Sequence, residues 1–175
     1  MRRFICLMLA AILIFLLPGC KEEEPEFIKP AQFYYLNADV LAEDIGYGDT
    51  YEIFLSETRE TEHINDNLVA FLNDYLQGPI TPVLYLTIPS DAKLVDAQMF
   101  EHGIHIIFSE EFSKLSGIDL TLACTYLSIT LFEYFDVDYV EIRAEGVRLE
   151  GKESITISLD SLYLKDSFPE PTIVS

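Results

Sequence analysis

Residues 68–79 read LVAFLNDYLQGP, and this stretch decides the fold. Its apolar residues recur three and four positions apart, which places them on one face of an α-helix: Leu68, Phe71, Leu72, Tyr75 and Leu76, with Ile64 one turn earlier. Gly78 followed by Pro79 is a strong stop signal, because glycine suits the end of a helix and proline cannot continue it. The pattern predicts a helix over residues 62–77 that buries this face.

Short strand-like runs lie on both sides of this helix. Residues 33–36 are aromatic and residues 51–55 are a candidate second strand. After the helix, residues 84–88 lie between Pro82 and Pro89, which favours an irregular or edge segment. Residues 93–99 and 104–108 predict a β-hairpin, with Gly103 able to take a positive φ in its turn.

A second helix is predicted over residues 119–135, with Asp119 as a candidate N-cap. It is apolar almost all round, which is typical of a buried helix. A short helical turn over residues 109–115 precedes it. Residues 139–144 alternate as a strand, and residues 155–159 predict one more strand that pairs back by a hairpin. The order β(β)αββαβ(β) predicts an α+β fold, with two helices packed on one face of a small mixed or antiparallel sheet.

The N-terminus has the pattern of an export signal. Arg2 and Arg3 precede an uncharged run over residues 4–17, which is shorter than the roughly 20 residues that span a bilayer. The run ends in Leu17-Pro18-Gly19-Cys20, which resembles the lipobox of bacterial lipoproteins. The resemblance implies cleavage before Cys20 and lipidation of its sulfur; the alternative is an uncleaved anchor helix.

These features divide the chain into a signal peptide (1–19), a lipidated tether (20–32), one domain (33–165) and a frayed tail (166–175). Residues 21–30, KEEEPEFIKP, are charged and contain two prolines, and they reach at most about 35 Å. We therefore expect the domain on the extracytoplasmic face of the cell membrane, close to the bilayer. Cleavage would leave Cys124 as the one free thiol, and its apolar surroundings predict a buried, unreactive side chain.

Charge and composition exclude several classes of partner. The formal net charge is −19, and loss of Arg2 and Arg3 would make it −21. Such a surface repels nucleic acid and anionic lipid headgroups, so the acyl anchor alone must hold the protein at the membrane. The chain is nevertheless half apolar, with 12 Phe and 10 Tyr, which is ample for a core. Four of the tyrosines cluster near the first strands and are candidates for a partner-facing patch: Tyr34, Tyr35, Tyr47 and Tyr51.

Three local patterns invite a catalytic or ligand-binding interpretation, and each has a simpler one. Residues 146–152, GVRLEGK, fit a phosphate-binding loop, but Glu153 stands where a Ser or Thr must hold Mg²⁺, so a hairpin turn is predicted. His102 and His105 are three apart, which places strand residues on opposite faces, so convergence on a metal is not expected. Acidic pairs such as Asp136 and Asp138 are expected by chance among 30 acidic residues. We therefore predict no catalytic, cofactor or metal site.

The ordered motifs together resemble the GerMN domain of bacterial sporulation and germination proteins. Residues 68–79, LVAFLNDYLQGP, resemble the family's helix that ends in a Leu-x-x-Gly-Pro signature. Residues 88–94, IPSDAKL, are similar to its Ile-Pro-x-Gly-Thr-x-Leu segment, although Asp91-Ala92 replaces Gly-Thr. Further similar positions extend the likeness over residues 33–149: Phe108-Ser109-x-x-Phe112, residues 126–131, Val137, Val140, Ile142 and Glu145-Gly146.

This resemblance implies a fold similar to the ring-building modules of secretion and sporulation channels. It also implies a membrane-tethered interaction or assembly domain and not an enzyme, with another envelope protein as its partner. A small-ligand lipoprotein that binds a sugar or peptide is the alternative, and an envelope hydrolase is a weaker third hypothesis. A ligand-binding lipoprotein requires a concave pocket with convergent polar groups, whereas an interaction module requires an exposed patch or strand edge.

Overall fold

The computed structural model describes residues 30–38, 54–60 and 67–162. The described elements are β1 (Ala31–Asn37), β2 (Phe54–Arg59), α1 (Leu68–Leu76), β3 (Leu84–Tyr85), β4 (Leu94–Met99), β5 (Gly103–Phe108), α2 (Gly117–Tyr134), β6 (Tyr139–Ala144) and β7 (Ile155–Ser158). Short 3₁₀ helices cover Glu110–Lys114 and Leu159–Ser161. The α+β class and the predicted order of elements are confirmed.

The strands form two sheets, where the sequence predicted one. The first has the order β2-β1-β3 and the second β4-β5-β6-β7. The β5 and β6 strands are parallel and the other pairs are antiparallel, so the larger sheet is mixed. The β3 strand has only two residues. It lies between Pro82 and Pro89, and these prolines limit its pairing. The segment is the edge element that the prolines predicted.

Both helices pack into one core that the two sheets share. The Phe71 ring of α1 lies 5.0 Å from that of Phe33 on β1. On α2, the Thr130 hydroxyl accepts a 2.9 Å hydrogen bond from the backbone N–H of Tyr34. A single apolar cluster therefore includes residues from β1, both helices and the inner face of the larger sheet.

A buried arginine connects β2 to the end of α1. Arg59 is 9% exposed, and its guanidinium pairs with Glu57, which lies two residues earlier on the same face of β2. It also donates to the carbonyl oxygens of Asp74 (2.9 Å) and Gly78 (2.6 Å). Glu57 accepts from the backbone N–H groups of Ile80 and Thr81, at 3.0 Å each. The segment that follows the Gly-Pro stop is thus fixed against β2.

Two local predictions are wrong in an informative way. Asp119 lies in the first turn of α2 and is not its N-cap, which is Ser116; the Glu150 carboxylate instead accepts from the Gly117 N–H at 2.5 Å. Gly103 does not have a positive φ. It is required because a Cβ there would lie 2.3 Å from Cζ of Tyr139, whose ring covers the glycine.

Two predicted bounds differ from the structure: β2 covers Phe54–Arg59 where residues 51–55 were predicted, and α1 begins at Leu68 where residue 62 was predicted. The first helix is capped by Asn67, whose side chain accepts from the Ala70 N–H, and the 146–152 segment forms turns with no helix after it. Residues 61–66, where the first helix was predicted to begin, lie outside the described residues. So do the predicted export signal, Cys20, nearly all of the predicted tether, and the predicted tail.

Candidate interaction surface

The four-stranded sheet has an inner face in the core and an outer face toward solvent. On β5 and β6, alternate residues are buried: Ile104, Ile106, Phe108, Val140, Ile142 and Ala144. The residues between them therefore form the outer face: His105, Ile107, Tyr139, Glu141 and Arg143. The alternation from Ile104 to Phe108 and along β6 makes this face a direct consequence of the sequence pattern.

Three rings form a row across this face. The Phe100 and His105 ring centroids are 4.4 Å apart, and those of His105 and Tyr139 are 5.8 Å apart. Nε2 of His105 lies 3.3 Å from the Tyr139 hydroxyl and 3.3 Å from Oε2 of Glu141. We define Phe100, His105, Tyr139, Glu141 and Arg143 as the outer row.

Polar contacts hold the outer row in place. Arg143 Nε donates a 2.7 Å hydrogen bond to Oε1 of Glu141. Partial burial raises the pKa of Glu141, but hydrogen bonds from Arg143 and Ser154 outweigh it and keep that pKa below its usual value. Glu141 therefore stays ionised at neutral pH. The row presents fixed rings and charges, a chemistry suited to binding.

The β4 strand forms one edge of the same sheet. Its exposed apolar side chains are nearly half accessible: Val95 (46%), Met99 (47%) and the adjoining Phe100 (46%). A register shift between Leu94 and Asp96 marks a bulge at Val95, and the pairing is regular from Asp96 to Met99. Edge strands with exposed apolar residues are common sites of strand addition.

Depressions of about 420 and 460 Å³ lie on the described surface, and both open widely to solvent. One of about 420 Å³ borders the outer row and is lined by Val95, Ile107, residues 143–148 and Glu153. The other, of about 460 Å³, lies beside Arg59 and the Gly78-Pro79 turn. Neither encloses a ligand in the way that small-molecule sites usually do.

The described residues place the other sequence candidates as follows. Cys124 is 1% exposed, which confirms the predicted burial, and this burial raises its thiol pKa to about 12. His102 lies 3.5 Å from Asp138 and His105 contacts Glu141, so the two histidines have different partners. Tyr35 is fully buried, which removes it from any partner-facing patch, whereas Tyr34 is partly exposed. Tyr47 and Tyr51 lie outside the described residues.

Within residues 30–38, 54–60 and 67–162, no three His, Cys, Asp or Glu side chains are placed to hold a metal ion. Over the same residues, no helix has both the length and the apolar character needed to cross a bilayer.

Sequence reasoning missed the outer row, although one signal was present. Tyr139, Glu141 and Arg143 are the non-buried positions of a clearly alternating strand, so their shared face was predictable. Their convergence with His105 was not, because it depends on the parallel pairing of β5 with β6 across an intervening helix. Phe100 lies in a turn, where no period assigns a direction to its side chain.

The chain is similar to three solved structures. One is the first GerMN domain of the sporulation protein GerM from Bacillus subtilis, with 15% identity and a TM-score of 0.51. The alignment covers 71% of this chain and 91% of that domain. Against the tandem GerMN domains of the same protein, identity is 21%, coverage of this chain is 76% and the TM-score is 0.50. The chain spans about half (48%) of that tandem structure.

A third similar structure is described as a candidate lipoprotein from Clostridium perfringens, with 13% identity, 75% of this chain and 88% of that chain covered, and a TM-score of 0.46. No family model matches the sequence, and no curated protein matches it. The two GerM comparisons, with the helix and hairpin order described above, give the fold. This chain has the fold of a GerMN domain.

Proposed function

We propose that the chain is a membrane-anchored, extracytoplasmic interaction module that helps to assemble an envelope complex. The observation that carries the proposal is the larger sheet, which offers a rigid row of rings and charges beside an edge strand with exposed apolar residues. Exposed apolar groups beside fixed polar ones are typical of protein-binding surfaces. The sporulation protein GerM, which contains the same fold, supports an envelope role in sporulation, germination or a related assembly.

The anchor follows from the N-terminal sequence. The lipobox-like Leu17-Pro18-Gly19-Cys20 supports lipidation of Cys20, and two acyl chains hold a protein firmly where one binds reversibly. Only ten residues separate Cys20 from Ala31, where β1 begins. The tether therefore keeps the module within a few nanometres of the bilayer, where its partner must also be reached.

A binding role suits the described chemistry better than a catalytic one. The thiol of Cys124 is buried with a raised pKa, and nucleophilic cysteines need the opposite setting. His105 of the outer row contacts the carboxylate of Glu141, and Arg143 already neutralises part of the charge of that carboxylate. We propose that this row orients a partner by hydrogen bonds and ring contacts.

Replacement of Cys20 tests the anchor. We expect the wild-type chain in the membrane fraction, with a diacylglyceryl group on residue 20 by mass spectrometry. Cys20→Ser should leave the chain unlipidated and uncleaved, and Cys124→Ser is the matched control that leaves lipidation unchanged. An unlipidated residue 20 in native wild-type protein, or wild-type protein recovered from the cytosol, would contradict the proposal.

Affinity capture from detergent-solubilised membranes tests the interaction. We expect an envelope protein to be retained specifically by the wild-type chain, and less by a variant that carries both Tyr139→Ala and Arg143→Ala. Matched changes at Arg148 and Glu153, which form an exposed pair in the turn region, should leave retention unchanged. Retention of no protein above background would remove the interaction role.

The alternative proposal is a lipoprotein that binds a sugar or peptide. The depression of about 420 Å³ favours it, since Arg143, Arg148 and Glu153 there offer charged groups to a polar ligand. Its open shape argues against tight binding of a small molecule. Calorimetric titration with envelope sugars and short peptides that lack Lys and Arg separates the two roles, because an assembly module binds none of them at micromolar concentrations.

A further inference from the structure

We infer that the open edge of β4 binds an extended, basic segment of the envelope partner as an added strand. This inference rests on the proposed function and names the site and the chemistry of the partner. It follows from the backbone geometry of β4, the protection of the opposite edge, and the charge of the chain.

The outward-facing backbone groups of β4 follow from its pairing with β5. The N–H of Phe100 donates to the carbonyl oxygen of Gly103 at 2.8 Å, so the backbone of Phe100 points toward β5. In an antiparallel pair, alternate residues point to opposite sides of the strand. The backbone N–H and C=O groups of Gln98 therefore also point toward β5. Those of Ala97 and Met99 point away from β5, toward the open edge. This edge offers two donors and two acceptors at the spacing of a β-ladder.

The opposite edge of the sheet is better protected. The N–H of Leu159 donates to the carbonyl of Asp138, so the alternating residues Thr156 and Ser158 of β7 point outward. Ser161 then covers this edge, because its hydroxyl accepts from the Ser158 N–H at 3.2 Å. The 3₁₀ turn Leu159–Ser161 ends the strand. Among the described strands of this sheet, β4 is the edge that remains suited to pairing.

Side chains on both faces of β4 add contacts for an incoming strand. Met99 pairs with the buried Ile104 and lies at the rim of the core, whereas Phe100 contacts His105 on the outer face. Each is nearly half exposed at the strand edge. A strand beside β4 would cover both with its own apolar residues, which is how strand addition gains affinity beyond its backbone hydrogen bonds.

Charge decides which kind of strand fits. Asp96 and Glu101 are exposed at the regular part of β4 and in its turn, and Lys93 lies beyond the bulge. The chain carries a formal net charge of −19, so a second copy would bring two strongly acidic proteins together. A segment with Lys or Arg at its polar positions instead pairs with Asp96 and Glu101.

Site-specific photo-cross-linking in the native envelope tests the inference. A benzoylphenylalanine is placed at Gln98, whose side chain lies on the outer face of β4, and in a separate protein at Thr156 on β7. The full-length, lipidated chain is irradiated in cells, and the cross-linked segment is identified by mass spectrometry. We expect a cross-link from position 98 to a basic, strand-forming segment, and little from position 156.

Two pairs of variants give the test its controls. Met99→Pro removes an outward N–H without removing a ladder bond, so the fold should persist while the cross-link falls about tenfold; Thr156→Pro is the matched change on β7 and should have no effect. Asp96→Lys should weaken the cross-link, and Thr156→Lys should not. If Met99→Pro lowers the melting temperature, Asp96→Lys still tests the edge.

Each outcome has a definite meaning. A cross-link to another copy of this chain, to an acidic segment, or from position 156 in place of 98 would overturn the inference. So would a position-98 cross-link that survives both Met99→Pro and Asp96→Lys. If membrane capture retains a partner and these variants do not change its retention, the interaction role stands and the assignment of the binding site to the β4 edge is wrong. If capture retains nothing, the proposed function itself fails.

Discussion

Arg59 Nη2 donates a 2.6 Å hydrogen bond to the carbonyl oxygen of Gly78, 19 residues later in the chain. Gly78 has a φ of +82°, a left-handed conformation that ends α1 and turns its carbonyl toward the arginine. The Gly78-Pro79 pair is therefore more than a helix stop. It joins the end of α1 to the smaller sheet through one buried cation.

Replacement of Arg59 by Met should destabilise the domain strongly. The change leaves Glu57 nearly buried (9% exposed side chain) without its cation, and breaking a buried pair costs about 3–5 kcal/mol. Urea denaturation measures the loss as a lower midpoint. Arg148→Met is the control, because the pair of Arg148 with Glu153 is exposed and should contribute much less. Equal losses from the two variants would contradict the structural role of Arg59.

Acid should weaken the domain through Glu57. Burial raises the pKa of this carboxyl, but hydrogen bonds from Arg59 and from the N–H groups of Thr81 and Ile80 outweigh it and lower the pKa from about 4.5. A group with a lowered folded-state pKa stabilises the fold above its unfolded pKa and loses that contribution as the pH falls through the folded value. Stability should therefore decline below about pH 4.5.

Glu57→Gln isolates this contribution. The amide cannot titrate, so the variant should be less stable than wild type at pH 7 and should lose less stability on acidification. Denaturation curves collected from pH 7 to pH 3 measure both quantities. A variant with the full wild-type dependence on pH would show that Glu57 does not carry the effect.

Gly103→Ala should destabilise the β4–β5 hairpin, although the glycine lies in ordinary extended backbone. An added Cβ would lie 2.3 Å from the Tyr139 ring, and such overpacking costs about 1–3 kcal/mol. Thermal unfolding checks this in a double-mutant cycle with Tyr139→Ala. The cost of Gly103→Ala should shrink in the Tyr139→Ala background, because the ring that it meets is gone. If Gly103→Ala cost the same in both backgrounds, the loss of stability would come from the backbone and not from contact with the Tyr139 ring.

The sequence predicted local structure well because local periods are strong here. The apolar stripe from Leu68 to Leu76 predicts a helix and the face that it buries. The alternation from Tyr139 to Ala144 does the same for a strand. The division into two sheets was not predictable, because an alternating apolar pattern identifies a strand but not the strand with which it pairs. The Glu57–Arg59 pair lies beyond residue 55, where the predicted second strand ended, and its burial depends on Gly78, 19 residues after Arg59.

Cys124 should resist thiol reagents in the folded chain. Its side chain is 1% exposed, and burial raises its pKa to about 12, so almost no thiolate exists at pH 8. Alkylation with iodoacetamide followed by peptide mapping should find residue 124 unmodified in native protein and fully modified in 6 M guanidinium chloride, a concentration at which most domains are unfolded. Labelling should accelerate in Arg59→Met as the loss of stability raises the fraction of opened molecules, because only opened molecules expose the thiol. Rapid labelling of native wild-type protein would mean that α2 is not the buried centre of the domain, and the core assignment would fail with it.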